Sequence, residues 1–328
     1  MTIAFNLQKI HLKPRGKNSR LAYHWRCLCH RLAPKWWLSR RAKELFDSLE
    51  TRSDRDYIWQ RVNYYCQLVE ETKIEGQCQL GSMPKNKNNY FRDFFEYARF
   101  FDSSLKVDVI FKDNRDIPST PSIMKSRTTV EANVNGILCN LDKIRHFTFL
   151  KDKRSFDSKA NKAIFMGAVY QPWRIDFMEK YFGSEWVDCG DTGNFPCKPE
   201  WRQPSITLYD HLTYKFIMAI EGFDVASNLK WIMSSNSIAV MPKPTVETWF
   251  MEGTLIPNHH YIEIKPDYSD LPERLQYYID HPEQAKKIIQ NAHEYVKQFM
   301  DKDREDLIHL LVLQKYFSLT NPGKELMK

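Results

Sequence analysis

An α/β fold organised as two domains is what this sequence predicts, on three observations. Its 328 residues are long for one hydrophobic core and comfortable for two. Short apolar runs bounded by turn residues alternate with helical patterns through the second half. The stretch 214–261, YKFIMAIEGFDVASNLKWIMSSNSIAVMPKPTVETWFMEGTLIPNHHY, reads as strand, acidic-glycine turn, helix, strand, helix, strand. That order builds a parallel crossover unit.

The chain opens on a basic segment. Residues 1–43 hold many lysines and arginines and no acid before Glu44, and the whole chain carries a formal charge of +7. Trp25, Trp36 and Trp37 interleave with Arg26, Lys35, Arg40 and Arg41. This mixture suits peripheral contact with an anionic membrane, rings entering the headgroup layer and cations meeting lipid phosphate. A solvated basic face with core tryptophans is the alternative. Nucleic acid is not expected as a partner, because no recognised motif accompanies the charge. The start, MTIAFNLQKIHLKPRGK, lacks the apolar core of a secretory signal, and no 18-residue apolar stretch follows. Seven cysteines without repeated CxxC spacing suit a reducing compartment, so a cytoplasmic location is expected. His24, Cys27, Cys29 and His30 lack the paired spacing of a structural zinc site, and no metal is expected.

Residues 44–100 read as mainly helical, with Tyr57, Ile58, Arg61, Val62 and Tyr65, then Phe91, Phe94, Phe95 and Ala98, at spacings of three and four. The polar GSMPKNKNN, 81–89, breaks them as a loop. A strand over 107–111 leads into Lys112-Asp113-Asn114-Arg115-Asp116-Ile117-Pro118, which places two carboxylates and an arginine where a strand leaves its sheet. The polar connector 151–162 sets the boundary between an N-terminal domain, 1–155, and a second domain, 156–300. A strand over 163–166 enters Gly167 and a helix carrying Ile175, Phe177, Met178 and Phe182. A strand over 216–220 ends at Glu221-Gly222, and a helix opening near Asp224 would turn free backbone N–H groups toward an anion; Lys230 and Trp231 ride on it. Strands over 237–241 and 261–264 follow. Asp270 with Glu273, and Asp280 with Glu283, form capping-box patterns for two helices. A last helix from about 305 to 317, within 301–328, packs back on either domain.

Taken in order, Asn114-Arg115-Asp116-Ile117-Pro118, Phe165-Met166-Gly167 with Pro172-Trp173-Arg174, Asp210-His211 with Tyr214-Lys215, Ala226-Ser227-Asn228-Leu229-Lys230-Trp231 and Ser235-Asn236-Ser237 resemble the family-90 glycosyltransferases, the CAP10-domain group. The resemblance covers about residues 105–300 and is closest to the bacterial branch, whose members resemble lipopolysaccharide core-modifying enzymes. It implies a GT-B-like architecture, two Rossmann-like domains facing a cleft, and metal-independent, inverting transfer of a hexose or pentose from a UDP-sugar to a hydroxyl of a glycan acceptor, the lipopolysaccharide or lipooligosaccharide core, with no cofactor. Asp116 matches the family's catalytic base, and Arg174 the arginine expected to hold the diphosphate. Gly167, Gly222, Asp224, Asn228, Lys230 and Glu247 complete the expected donor site, with Arg115, Arg127, Arg145 and Lys215 as further cleft candidates. Two positions depart from the pattern: Met166 stands where relatives have arginine, and Asn228 where the eukaryotic branch does. Two alternatives stand beside this reading. One is a metal-dependent GT-A enzyme, for which Asp54-Arg55-Asp56 and Asp301-Lys302-Asp303 are poorly placed acid pairs. The other is a non-catalytic lipid- or polysaccharide-binding protein of the same fold.

Overall fold

The computed structural model describes residues 17–74, 76, 78–84 and 88–327. The first sixteen residues, where a secretory signal was sought, part of the 81–89 loop and the Lys35 side chain lie outside the described residues.

Among the described residues four helices come first: α1 (Arg20–Leu32), α2 (Lys35–Leu49), α3 (Arg55–Tyr65) and α4 (Asn89–Ala98). Ser19 caps α1 by accepting from the Ala22 N–H, and Asn88 caps α4 by accepting from Phe91 N–H at 2.8 Å. Pro34 separates α1 from α2, since it cannot donate to the preceding turn. The predicted stripes Ile58, Val62, Tyr65 and Phe91, Phe94, Ala98 are buried. A small parallel sheet follows, built from β1 (Val109–Ile110), β2 (Ser122–Met124) and, beyond β3 (Ser126–Thr128), β4 (Gly136–Leu138), in the order β1-β2-β4. The four-residue helix α5 (Lys143–His146) ends this half.

The second half is a five-stranded, wholly parallel sheet. Its strands are β5 (Ala160–Gly167), β6 (Val187–Asp191), β7 (Tyr214–Met218), β8 (Ile238–Met241) and, after β9 (Val246–Thr248), β10 (Ile262–Glu263), in the order β10-β8-β7-β5-β6. Helices α6 (Pro172–Tyr181), α7 (Leu208–His211) and α8 (Leu229–Met233) make the crossovers, and α9 (Leu271–Asp280) and α10 (Pro282–Lys297) follow. This is a Rossmann-like, doubly wound order whose direction reverses between β5 and β7. Because both faces are covered, residues 163–166, 216–218 and 238–241 of the inner strands are continuously apolar, and neighbouring residues divide between two cores. Phe165, Phe216, Met218 and Val240 join Phe177 of α6 and Leu275 of α9; Ile164, Ile217, Ala239 and Met241 join Trp231 of α8 and the N-terminal half.

The second core therefore runs unbroken across the expected boundary. The 151–162 connector is itself fastened: Lys159, fully buried, pairs with Asp152 at 2.6 Å and bonds the Leu212 carbonyl and Ser237 Oγ. The C-terminal helix α11 (Lys302–Thr320) packs on α3, α2 and α4 of the N-terminal half. Buried Arg61 of α3 pairs with Glu305, which also accepts from Trp249 Nε1 at 2.6 Å.

Three local expectations are corrected. The second helix expected between 241 and 261 is β9 followed by a short 3-10 turn, Glu252–Thr254. Pro242 and Pro244 interrupt helical hydrogen bonding there, and Thr245, Val246 and Thr248 favour extended backbone. The helix expected near Asp224 starts only at Leu229, with five residues. Neither capping box forms; α9 and α10 start instead on Pro272 and Pro282 in their first turns, and Asp270 accepts from Lys265 N–H.

His309 of α11 is buried between the rings of Tyr97 and Trp249, at centroid distances of 4.0 and 4.6 Å. Burial, with the nearby Lys143 charge, holds its pKa far below the ordinary value. The unfolded chain then binds a proton that the folded one refuses, so the histidine's effect is absent above about pH 6.5 and stability falls as pH drops toward the depressed folded value. Urea titrations at pH 7 and pH 5 should show wild type losing about 2 kcal/mol more than His309→Phe, which keeps the ring stack.

Candidate active site

The loop leaving β1 meets the loop leaving β7. From the first, Arg115 donates to the Phe223 carbonyl at 2.6 Å, to Thr245 Oγ1 at 3.1 Å and to Glu221 at 2.7 Å, with its guanidinium 5.0 Å from the Trp173 ring centroid. Lys125, following β2, is buried between Asp113 at 2.5 Å and Asp224. The acids expected at the helix opening are thus neutralised by bases from the front half, and Asp224 is an ion-pair partner in the interior rather than a phosphate neighbour. Asp113 also faces Arg145 at 3.2 Å and accepts from Tyr90 at 2.5 Å. Burial opposes its charge, but Lys125 outweighs it and holds the carboxyl below its ordinary pKa.

Asp116 stands in the same loop, exposed, with its backbone carbonyl fixed by Asn114 Nδ2 at 2.8 Å. Among the described residues its carboxylate has no hydrogen-bond or ion-pair partner, in contrast to Asp113.

Arg174 lies at the reversal point between β5 and β7, yet its guanidinium is spent on the protein. It donates to the carbonyls of Glu221 at 2.9 Å, Ala168 at 2.9 Å and Ile220 at 2.7 Å, and burial lowers its pKa. Gly167 and Gly222 border it; a Cβ on Gly222 would stand 3.4 Å from Nη2. Lys230 is fully buried and paired with Glu252 beneath the Phe250 ring, its pKa lowered by burial. Lys215 sits near the start of β7 over the Phe156 ring, at the opposite end from the loops. Arg127 and Glu247, both buried, pair with each other at 2.7 Å where β3 and β9 run antiparallel. All five of these side chains make their contacts within the fold.

A polar cavity of about 830 Å³ opens beside these loops, above the ends of β5 and β6. That volume lies within the range of small-molecule sites, ~300–1,000 Å³. Met166, Thr192, Ser227 and Asn228 form its wall on the second half; Asn89, Tyr90, Arg92, Asp142 and Arg145 come from the first. Asn228 is anchored to the Met218 carbonyl at 2.9 Å. Lys17, Arg20 and His24 complete it from the entry to α1. Among the described residues four permanent cations face one carboxylate, Asp142, so the cavity favours an anion. Although burial disfavours its charge, Arg145 is held protonated by Asp142 at 2.8 Å and by Asp113. The two departures from the family pattern, Met166 and Asn228, line the same cavity. Of the expected residues, Arg145 and Asn228 reach it; Lys17, Arg20, Arg92 and Tyr90 were not foreseen. Their only signal was the acid-free N-terminal segment, which supplies Lys17 and Arg20.

A second cavity, about 210 Å³, is lined mainly by Trp173, Val225, Met241, Pro244 and Tyr268. The Glu221 carboxylate at its edge is already satisfied by Arg115, Thr245 and Val246.

No three histidine, cysteine or acidic side chains converge to hold a metal ion among the described residues. Asp54 is bound to Arg52 and Arg304, and Asp301 caps α11, so neither acid pair considered for a metal is free. No described helix is long and apolar enough to cross a membrane.

The family model described as Glycosyl transferase family 90 matches residues 150–324. The chain is 34% identical over 295 residues to the O-glucosyltransferase LpsA of Dichelobacter nodosus, covering 89% of this chain and 93% of that protein. It is 25% identical over 210 residues to Protein O-glucosyltransferase 3 of Rattus norvegicus, covering 62% of this chain and 40% of the relative. Protein O-glucosyltransferase 2 of Danio rerio is 27% identical over 114 residues, 35% of this chain and 23% of that one.

Proposed function

Because the chain belongs to glycosyltransferase family 90 and is a glycosyltransferase, we propose that it moves a hexose, glucose first among the candidates, from a UDP-sugar to a glycan hydroxyl with inversion. The observation that carries this reading is the cationic cavity at the carboxyl ends of β5 and β6, facing the front half. The diphosphate lies against Arg145, Arg20 and Arg92, which take the place of arginines absent at positions 166 and 228. As the acceptor oxygen bonds to the anomeric carbon, its proton passes to the Asp116 carboxylate. The bond from that carbon to the diphosphate oxygen breaks, and the electron pair leaves on UDP, stabilised by the guanidinium groups. Neutralisation by side chains makes a divalent ion unnecessary.

The two loops that meet leave the carboxyl ends of parallel sheets, which supports a GT-B-like arrangement with 1–155 as acceptor side, 156–300 as donor side and 301–328 returning to the front. The acceptor is a lipopolysaccharide or lipooligosaccharide core, a reading supported by the name of the bacterial relative. The basic N-terminal segment supports peripheral contact with the cytoplasmic face of the inner membrane.

UDP-glucose should raise the thermal midpoint of the wild-type protein, and transfer should persist in excess chelator. Arg20→Gln and Arg145→Gln should each weaken UDP affinity by about 10–100-fold, the effect of removing a charge-assisted hydrogen bond. Unchanged affinity in both variants would place the diphosphate elsewhere.

A further inference from the structure

The outer face of α1 carries an apolar stripe left uncovered by the described residues. Leu21, Trp25, Leu28 and Leu32 recur at intervals of four, three and four, with relative exposures of 84, 68, 45 and 72%. Trp36, 67% exposed, continues the stripe beyond Pro34. This is not a core face lacking its partner, because the opposite face of α1 already packs. There Tyr23 donates to Asp93 at 3.0 Å, Arg26 and His30 face Glu96, and Asn18 at the helix entry bonds the Phe147 carbonyl at 3.0 Å.

Exposed Arg20, Arg31 and Arg40 border the stripe, and the segment holds no acid before Glu44. An apolar stripe edged by cations complements a layer with negative headgroups above acyl chains. The same helix walls the cavity through Arg20 and His24, with Lys17 just before it. A helix with its side chains is about 10 Å across, so the cavity lies roughly one helix width from whatever the stripe rests upon.

We infer that α1 and the start of α2 dock on an anionic bilayer, and that the acceptor is a glycan carried on a lipid anchor, presented to the cavity from the headgroup layer. This rests on the reading of that cavity as the donor site. The occupant is a bilayer because a stripe only one helix wide, with tryptophan and leucine at its centre and arginine at its edges, fits a headgroup boundary.

The test uses the full chain and phosphatidylcholine vesicles with or without phosphatidylglycerol. Wild type should sediment with the anionic vesicles, less so as salt rises. The variant Leu21→Ser/Trp25→Ser/Leu28→Ser/Leu32→Ser should lose about a hundredfold or more in partitioning, with its UDP-glucose thermal shift unchanged. Wild type should glucosylate lipooligosaccharide embedded in the vesicles at least about tenfold faster than the delipidated oligosaccharide, and the variant should lose that preference. Wild type indifferent to anionic vesicles, a variant that binds as wild type does, or a wild-type dimer dispersed by the substitutions would overturn the docking surface. Equal rates on the two acceptors would overturn the lipid-anchored acceptor. Loss of the UDP-glucose shift in wild type would strike the donor-site reading and not the vesicle result.

Discussion

Asp116→Asn is expected to lower kcat by about 10²–10⁴-fold while leaving UDP-glucose affinity and thermal stability close to wild type. The exposed carboxylate bonds to no described residue, so the isosteric amide leaves no broken ion pair behind. Its loop stays in place through Arg115, which reaches Glu221, Phe223 and Thr245, and through Asn114. What the amide cannot do is accept the acceptor's proton. Asp113→Asn supplies the contrast: that carboxylate is engaged by Lys125, Arg145 and Tyr90, so its loss should appear chiefly as a lower melting temperature. Steady-state kinetics and calorimetric titration of both variants separate the two roles. Wild-type turnover in Asp116→Asn would remove this residue from the chemistry.

Arg127→Met is expected to cost about 3–5 kcal/mol of folding stability, because it strands the Glu247 carboxylate in the interior. The Arg127 guanidinium also closes on the carbonyls of Gly136 at 3.0 Å and Tyr64 at 2.8 Å, so one substitution releases contacts to three other segments. The double variant Arg127→Met/Glu247→Leu should recover part of that loss, since an apolar pair of similar volume often replaces a buried ion pair at little cost. Chemical denaturation of the two single variants and the double gives the coupling directly. A double variant as unstable as the sum of the singles would mean that the pair contributes no more than its separate packing.

Much of the second half was legible because strands covered on both faces become unbroken apolar runs. The runs at 163–166, 216–220 and 237–241 each became a strand, with ends displaced by a few residues. Residues whose partners are remote were harder to read. Arg127 and Glu247 read as cleft and donor-site candidates, because a bond spanning 120 positions leaves no local trace. Arg174 occupies the expected point of the sheet, yet three backbone carbonyls consume its donors, a use visible only when two strand ends come together. Arg92 was missed for the converse reason: on a helix, a charge facing a cavity has the same spacing as one facing water. Asp224 is engaged by Lys125, a partner remote in sequence, and α8 begins only at Leu229.

The antiparallel pairing of β3 with β9, together with α11 lying over the front helices, binds the beginning, middle and end of the polypeptide into one cooperative body. Wholesale swinging of one lobe against the other would tear open the apolar contacts that the two halves share. The stretch recognised by family likeness is consequently not a self-sufficient module. Severed near residue 150, it would leave Leu307, Leu311 and Phe317 without the front-half surface that shields them from water.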